Sequence, residues 1–305
     1  MGLSRNRLLW QEGGEKGWHG MDDTQDLLVI GASGRVGRLL ATHWAQTGAR
    51  VTLQTRGGAL PEGRLPVLRW SPLQDGPAGL EIRAPAMLVL AGVTPTSQGQ
   101  VDLTLNTHLA EACLAAAEAK GIERVLLASS SAVYGAGRDT PWHEDDAPGS
   151  PTNPYGAAKR AMEAAAMPWR ERGLTVCSLR IGNVAGADAL LLNAPGPLAI
   201  DRFASGGGPV RSYIGPVSLA RVIEALATAP DLPPVLNIAA PAPVAMADLA
   251  RAAGCDWRWR PAPPEAVERL TLDCAELCRR VSFAPAESTA GEMVAQWRAC
   301  GAGAA

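Results

Sequence analysis

Phenylalanine and tyrosine are scarce in this 305-residue chain, with two and three copies against nine tryptophans. An aromatic-rich core is therefore excluded, and aliphatic residues and alanine must fill most of the interior. An excess of either charge is also missing: 28 Lys and Arg stand against 30 Asp and Glu, a net charge of −2. A general nucleic-acid-binding surface, which needs a basic excess, is not expected. No run of 18 apolar residues occurs, so no membrane-spanning helix is expected. The six cysteines are scattered. Cys274 and Cys278 have helical spacing, but no second ligand pair faces them, so metal binding is not expected. They are read as free thiols of a reducing, cytoplasmic compartment. What is present is a globular composition, 47% apolar and 19% charged. A chain this long buries about three-quarters of its unfolded surface and requires neither metal nor disulfide to fold.

Residues 1–24 differ from the rest. They are Gly-rich and polar around Gln11 to Gly20, and Leu8-Leu9-Trp10 is too short for a secretory segment. A flexible tail is expected there. Apolar strands then alternate with helices. Strands are expected at Leu27–Ile30, Arg50–Leu53, Val67–Trp70 (weak), Ala86–Leu90, Arg124–Ala128 and Leu174–Leu179. Helices are expected over Val36–Trp44, Leu103–Lys120 and Tyr155–Trp169. Strands that are apolar throughout, alternating with helices, imply a parallel sheet covered on both faces. Beyond residue 183 Gly and Pro become dense, and only 218–229 and 245–253 still read as helical. Trp257-Arg258-Trp259 alternates as on a packed edge strand.

Four patterns carry chemistry. Gly31-Ala32-Ser33-Gly34-Arg35-Val36-Gly37 follows the first strand and opens a helix. Glycines there let a diphosphate approach the amides at the helix N-terminus, so a dinucleotide site is expected. The second strand ends in Gln54-Thr55-Arg56, without the carboxylate that would accept from the ribose hydroxyls of NAD. Arg56, with Arg35, suits a 2′-phosphate, and NADP is expected in preference to NAD. Tyr155 and Lys159 lie four apart on one helix face, where an ammonium can draw a phenol toward working pH. Ser129-Ser130-Ser131 ends the fifth strand, where ligands of open parallel sheets bind. His143-Glu144-Asp145-Asp146 reads as a polar surface turn, and His108 as a helix-surface or satisfied core residue rather than a ligand.

Together these residues resemble the extended short-chain dehydrogenase/reductase (NAD-dependent epimerase/dehydratase) family. The resemblance rests on Gly31-x-x-Gly34-x-x-Gly37, Ala91-Gly92, Asn106, Ser129 to Gly135, Asn153 to Lys159, and Leu179 to Gly186. It covers about residues 26–186, and Val235–Ile238 resembles a later strand. Ile214 to Ser218 departs from the family by having no acids.

The resemblance implies an α/β fold, a Rossmann-type doubly wound parallel sheet with a smaller loop-rich C-terminal substrate region. The core would span 25–182 and the substrate region mainly 183–305, with about 214–240 returning to the core. It also implies a catalytic set of Ser130 (Ser131 its near rival), Tyr155 and Lys159, with Asn106 in support. The cofactor would meet Gly31, Ser33, Gly34, Arg35, Val36, Gly37, Thr55, Arg56, Ala91 and Gly92, besides Tyr155 and Lys159. Asn183 and Gly186 would stand where the substrate region begins. Arg202, Arg211, Arg258 and Arg260 are candidate partners for a substrate diphosphate. The expected activity is an NAD(P)-dependent oxidoreductase on a sugar-like or other small carbonyl or hydroxyl compound. The alternative is a non-catalytic NAD(P)-binding sensor or scaffold. A homodimer through the Ala-rich helices is expected.

Overall fold

Leu27-Leu28-Val29-Ile30 is buried at every position. Leu27 and Val29 enter one hydrophobic core, and Leu28 and Ile30 a second core on the opposite face. This is why the strand reads as unbroken apolar sequence: helices cover the sheet on both sides. The computed structural model describes residues 26–301 apart from 59, 62, 96–100, 148–150, 152 and 193–196. The tail expected over 1–24 lies outside the described residues.

The central sheet consists of β1 (Leu27–Ile30), β2 (Val51–Thr55), β3 (Val67–Arg69), β4 (Ala86–Val89), β5 (Arg124–Ser130), β6 (Thr175–Ile181) and β7 (Val235–Ile238). All pairings are parallel, in the order β3-β2-β1-β4-β5-β6-β7. The order reverses between β1 and β4, and the crevice beyond their carboxyl ends is where such sheets bind ligands. This is the expected mixed α/β, Rossmann-type architecture.

Among the described residues there are six helices of eight or more residues: α1 (Arg35–Thr47), α2 (Leu105–Lys120), α3 (Pro154–Ala165), α4 (Pro216–Thr228), α5 (Met246–Ala253) and α6 (Ala290–Ala299). Helices α1 and α4 close the first core with Leu40, Trp44, Leu219, Val222 and Leu226. Helices α2 and α3 close the second with Ala110, Leu114, Ala117 and Met162. Trp44 is fully buried, and its Nε1 donates to Glu224 Oε1 at 2.6 Å, tying α1 to α4. Trp44→Ala is expected to cost about 3–5 kcal/mol in urea denaturation, because the void between two packed helices cannot collapse.

Helix boundaries follow local chemistry. Gly48 and Gly121 end α1 and α2 in the left-handed conformation. Asn153 opens α3 by accepting from Gly156 N at 2.8 Å, with Pro154 in the first turn. The expected helix over Tyr155–Trp169 is divided. It stops at Ala165, and Met167–Glu171 forms a separate short helix. Pro168 has no N–H to continue the ladder.

The C-terminal region has its own core of Leu198, Ile200, Tyr213, Val244, Leu249, Met293 and Val294. Short pairings build it. Asn183–Val184 joins Tyr213–Ile214, and Val210–Arg211 joins both Val244–Ala245 and Arg269–Leu270. Trp257–Pro261 is a strand, parallel to Leu198–Arg202, with its two indoles edge to face at 4.8 Å. The turn at His143–Asp146 is not simply a surface feature. The Glu144 side chain is buried at 7% exposure, and its Oε1 accepts from Asn237 N at 2.8 Å. Among the described residues no helix is long and apolar enough to cross a membrane, and no group of three metal-ligating side chains occurs. The six cysteines are free.

Candidate active site

The end of β1 touches the end of β4 backbone to backbone. Gly31 has φ +83°, and a Cβ on it would stand 2.6 Å from the nitrogen of Ala91. A Cβ on Gly37 would stand 2.7 Å from Ala32 Cα and from the Gly31 carbonyl. A Cβ on Gly92 would stand 2.6 Å from Asn106 Oδ1 and 3.4 Å from Lys159 Nζ. Glycine at these positions lets the turn, the end of β4 and the start of α1 pack this closely at the N-terminus of α1, whose first turn carries no acid. Amide donors and the helix dipole at that point favour an anion. The cradle therefore fits the diphosphate of a dinucleotide.

The turn borders a cleft of about 530 Å³. Its walls include Gly31, Ser33, Gly34, Arg35, Val36 and Gly37 from the glycine turn, and Gly92 from the loop after β4. Ser130, Tyr155, Lys159 and Asn106 stand on the opposite side, and Asn183 and Asp188 also line the cleft. Ser131 is buried and does not line the cleft. Gly186 packs against the Trp297 indole and does not line it either. Thr55, Arg56 and Ala91, expected at the cofactor, are also not on its wall. Thr55 spends its hydroxyl inside its own turn, donating to Gly58 O and accepting from Gly57 N, both at 3.1 Å. Arg56 is exposed beside it.

Helix α3 presents Tyr155 and Lys159 on one face. The Lys159 side chain is buried, and its Nζ donates to Ala128 O at 2.8 Å, at the end of β5. It stands 5.9 Å from the Tyr155 ring centre. Burial draws the ammonium down to about 8, against an opposing pull from Glu163. Tyr155 departs from expectation. Burial pushes its phenol above the ordinary value; a hydrogen bond with Ser130 and the charge of Arg35 pull it the other way. Lys159 is not among the groups that lower it. The Ser130 hydroxyl also accepts from Ala132 N at 3.2 Å, which fixes its place at the strand end.

Several contacts at the site are not evident from the sequence. Gln54, 2% exposed, accepts from Gly31 N through Oε1 at 2.9 Å and donates to Trp70 O, so it shapes the glycine turn. Arg35 reaches Thr94 Oγ1 at 2.8 Å across the cleft. Asn106 is buried and wholly used in holding the β4 loop, through Val93 N, Val93 O and Leu103 O. Beside Asn183, Tyr213 donates to Asp188 Oδ2 at 2.8 Å. Of the four arginines expected near a substrate diphosphate, Arg211 donates to the carbonyls of Val210, Val267 and Glu268. Arg260 pairs with Asp201 at 2.6 Å. Glu163 carried one usable signal, its place four residues after Lys159.

Known proteins resemble this chain in sequence and in fold. The family model described as "NAD dependent epimerase/dehydratase family" matches residues 27–210. A UDP-glucose 4-epimerase of Lacticaseibacillus casei is 45% identical over 69 residues, 22% of this chain and 20% of that protein. The match thus spans about a fifth of that relative's length. MoeE5 in complex with UDP-glucose and NAD is 25% identical, with a TM-score of 0.71 over 90% of this chain and 98% of its own. The UDP-glucose 4-epimerase of Thermus thermophilus, in complex with NAD, shares the fold at 22% identity and a TM-score of 0.71, over 90% and 99% of the two chains. Both structures carry NAD, and neither supports the preference for NADP read from Arg56.

Proposed function

Because this chain belongs to the NAD dependent epimerase/dehydratase family, we propose that it is an NAD-dependent oxidoreductase of the epimerase/dehydratase type, acting on a sugar-like or other small carbonyl or hydroxyl compound. The observation that carries the proposal is the meeting of Ser130, Tyr155 and Lys159 with the glycine turn in one cleft. When bound, the nicotinamide supplies hydride exchange with a substrate carbon. The chain's own residues handle the proton. Tyr155, kept protonated by burial, is set to give its hydrogen to a substrate oxygen. In the opposite direction it takes a hydroxyl proton, with Ser130 and Arg35 easing the charge that develops on the phenol. Lys159 has three donors. One is spent on Ala128 O and another faces Met162 Sδ at 3.7 Å, which leaves a third for a ribose hydroxyl of the cofactor. The UDP-sugars of the neighbouring proteins are the first substrates to offer.

The test is direct. The purified protein is incubated with NAD and UDP-glucose, then with free sugars, and products are read by NMR. A changed sugar in any arm supports the reading. NADH binding without turnover of any compound favours the non-catalytic alternative. A finer point concerns the cofactor's 2′ position. Arg56 is a cation at the end of β2, where no carboxylate stands. Arg56→Ala is expected to weaken NADPH about tenfold, the scale of one charged contact, and to leave NADH within about twofold. Nicotinamide fluorescence measures both.

A further inference from the structure

Behind the cleft one carboxylate serves three cations. Glu163 follows Lys159 by one helical turn, so both stand on the same face of α3. Its side chain is 10% exposed, and that of Arg180, from β6, is 8% exposed. Arg180 grips it with two nitrogens, Nη2 to Oε2 at 2.9 Å and Nε to Oε1 at 3.2 Å. Ser129 Oγ donates to the same Oε1. Arg170 and Lys159 also feel its charge. On the far side Arg180 donates to the Tyr134 hydroxyl at 3.0 Å, which donates onward to Asn237 Oδ1 at 2.7 Å. Asn237 is in turn held by the carbonyls of Trp142 and Asp273. The carboxylate is therefore immobile, and its charge has one position.

Lys159 meets few charged groups. Its own helix supplies Tyr155 and Glu163. Strand β5 supplies the Ala128 carbonyl and the Ser129 and Ser130 hydroxyls, and α2 the neutral amide of Asn106. The glycine turn supplies Arg35 across the cleft, and β6 supplies Arg180 behind Glu163. Glu163 is the anion of this set. We infer that Glu163 is a positioning residue for the cofactor: fixed by Arg180 and Ser129, it keeps the Lys159 ammonium charged where the nicotinamide ribose arrives. The inference rests on the dinucleotide-binding reading above.

Burial already draws Lys159 down to about 8, with Glu163 as the opposing influence. Without that negative charge, deprotonation moves further down, toward neutral pH. NADH affinity measured against pH by nicotinamide fluorescence tests this without any substrate. In the unaltered protein affinity should fall as pH rises through about 8. In Glu163→Gln the fall should begin about one pH unit lower, and Glu163→Asp should restore it. Glu163→Gln leaves Arg180 buried without its partner and can unfold the chain. The double variant Glu163→Met with Arg180→Met removes both ions; because a cation leaves with the anion, its midpoint should move down by less than in Glu163→Gln, but in the same direction. A purely structural role would weaken NADH equally at every pH. An unshifted midpoint in the double variant overturns the inference. Failure of the unaltered protein to bind NADH overturns the reading beneath it instead.

Discussion

Tyr155→Phe is expected to lower turnover by roughly a thousandfold, within the range of a lost general acid or base, while NADH affinity stays within about threefold. The change removes one oxygen and leaves the ring in place. The ring stands 5.9 Å from Lys159 Nζ, and Lys159 holds Ala128 O independently of the phenol. Asn106 and the glycine turn do not depend on it either. Binding and chemistry should therefore separate cleanly in this variant. Turnover that survives Tyr155→Phe would remove Tyr155 from the proton step and leave Ser130 as its remaining hydroxyl neighbour.

Gly31→Ala should act on the opposite side of the cleft, and on stability as well. At φ +83° an L side chain costs about 1–2 kcal/mol. The new methyl group would also stand 2.6 Å from Ala91 N and 2.8 Å from Ala91 Cα. Both atoms are backbone, so relief requires the β1 and β4 ends to move apart. Overpacking of this kind costs about 1–3 kcal/mol more. The movement would also displace Gly31 N from Gln54 Oε1, the bond that sets the turn. NADH affinity is expected to fall by about a hundredfold, the equivalent of about 2.7 kcal/mol. The thermal midpoint should drop at the same time. An unchanged affinity would place the cofactor's diphosphate elsewhere.

The parts of this site that are readable in the sequence are those that local spacing determines. Gly31 to Gly37 sits between a strand and a helix, and Tyr155 and Lys159 are a helical turn apart. Ser130 ends an apolar strand. Each follows from the chain's own periodicity, and so does the alternation that builds the sheet. What could not be read depends on the meeting of distant segments. Arg180 joins Glu163 across seventeen residues and from strand to helix. Gln54 reaches Gly31 from the neighbouring strand. Thr55 was expected at the cofactor, but its hydroxyl closes its own turn, a choice that composition does not reveal. Most C-terminal strands are two residues long, too short for alternation to show. Helix α6 was missed because Ala290, Gly291, Ala295 and Ala299 dilute its apolar stripe. The phenol of Tyr155 stands above its ordinary value because burial outweighs the groups that lower it, and burial cannot be read from the spacing of Tyr155 and Lys159.

The Glu144 contact also bears on the outer edge of the sheet. Strand β7 is the last in the sheet, and an outermost strand offers unpaired donors to any passing chain. Glu144 occupies the Asn237 donor with its own side chain. The opposite margin, β3, is three residues long and ends in the exposed Arg69. One border is thus plugged by a carboxylate, and the other is short and charged. A loop that reads as a polar surface turn thus covers a donor of the sheet's outer edge with its own side chain.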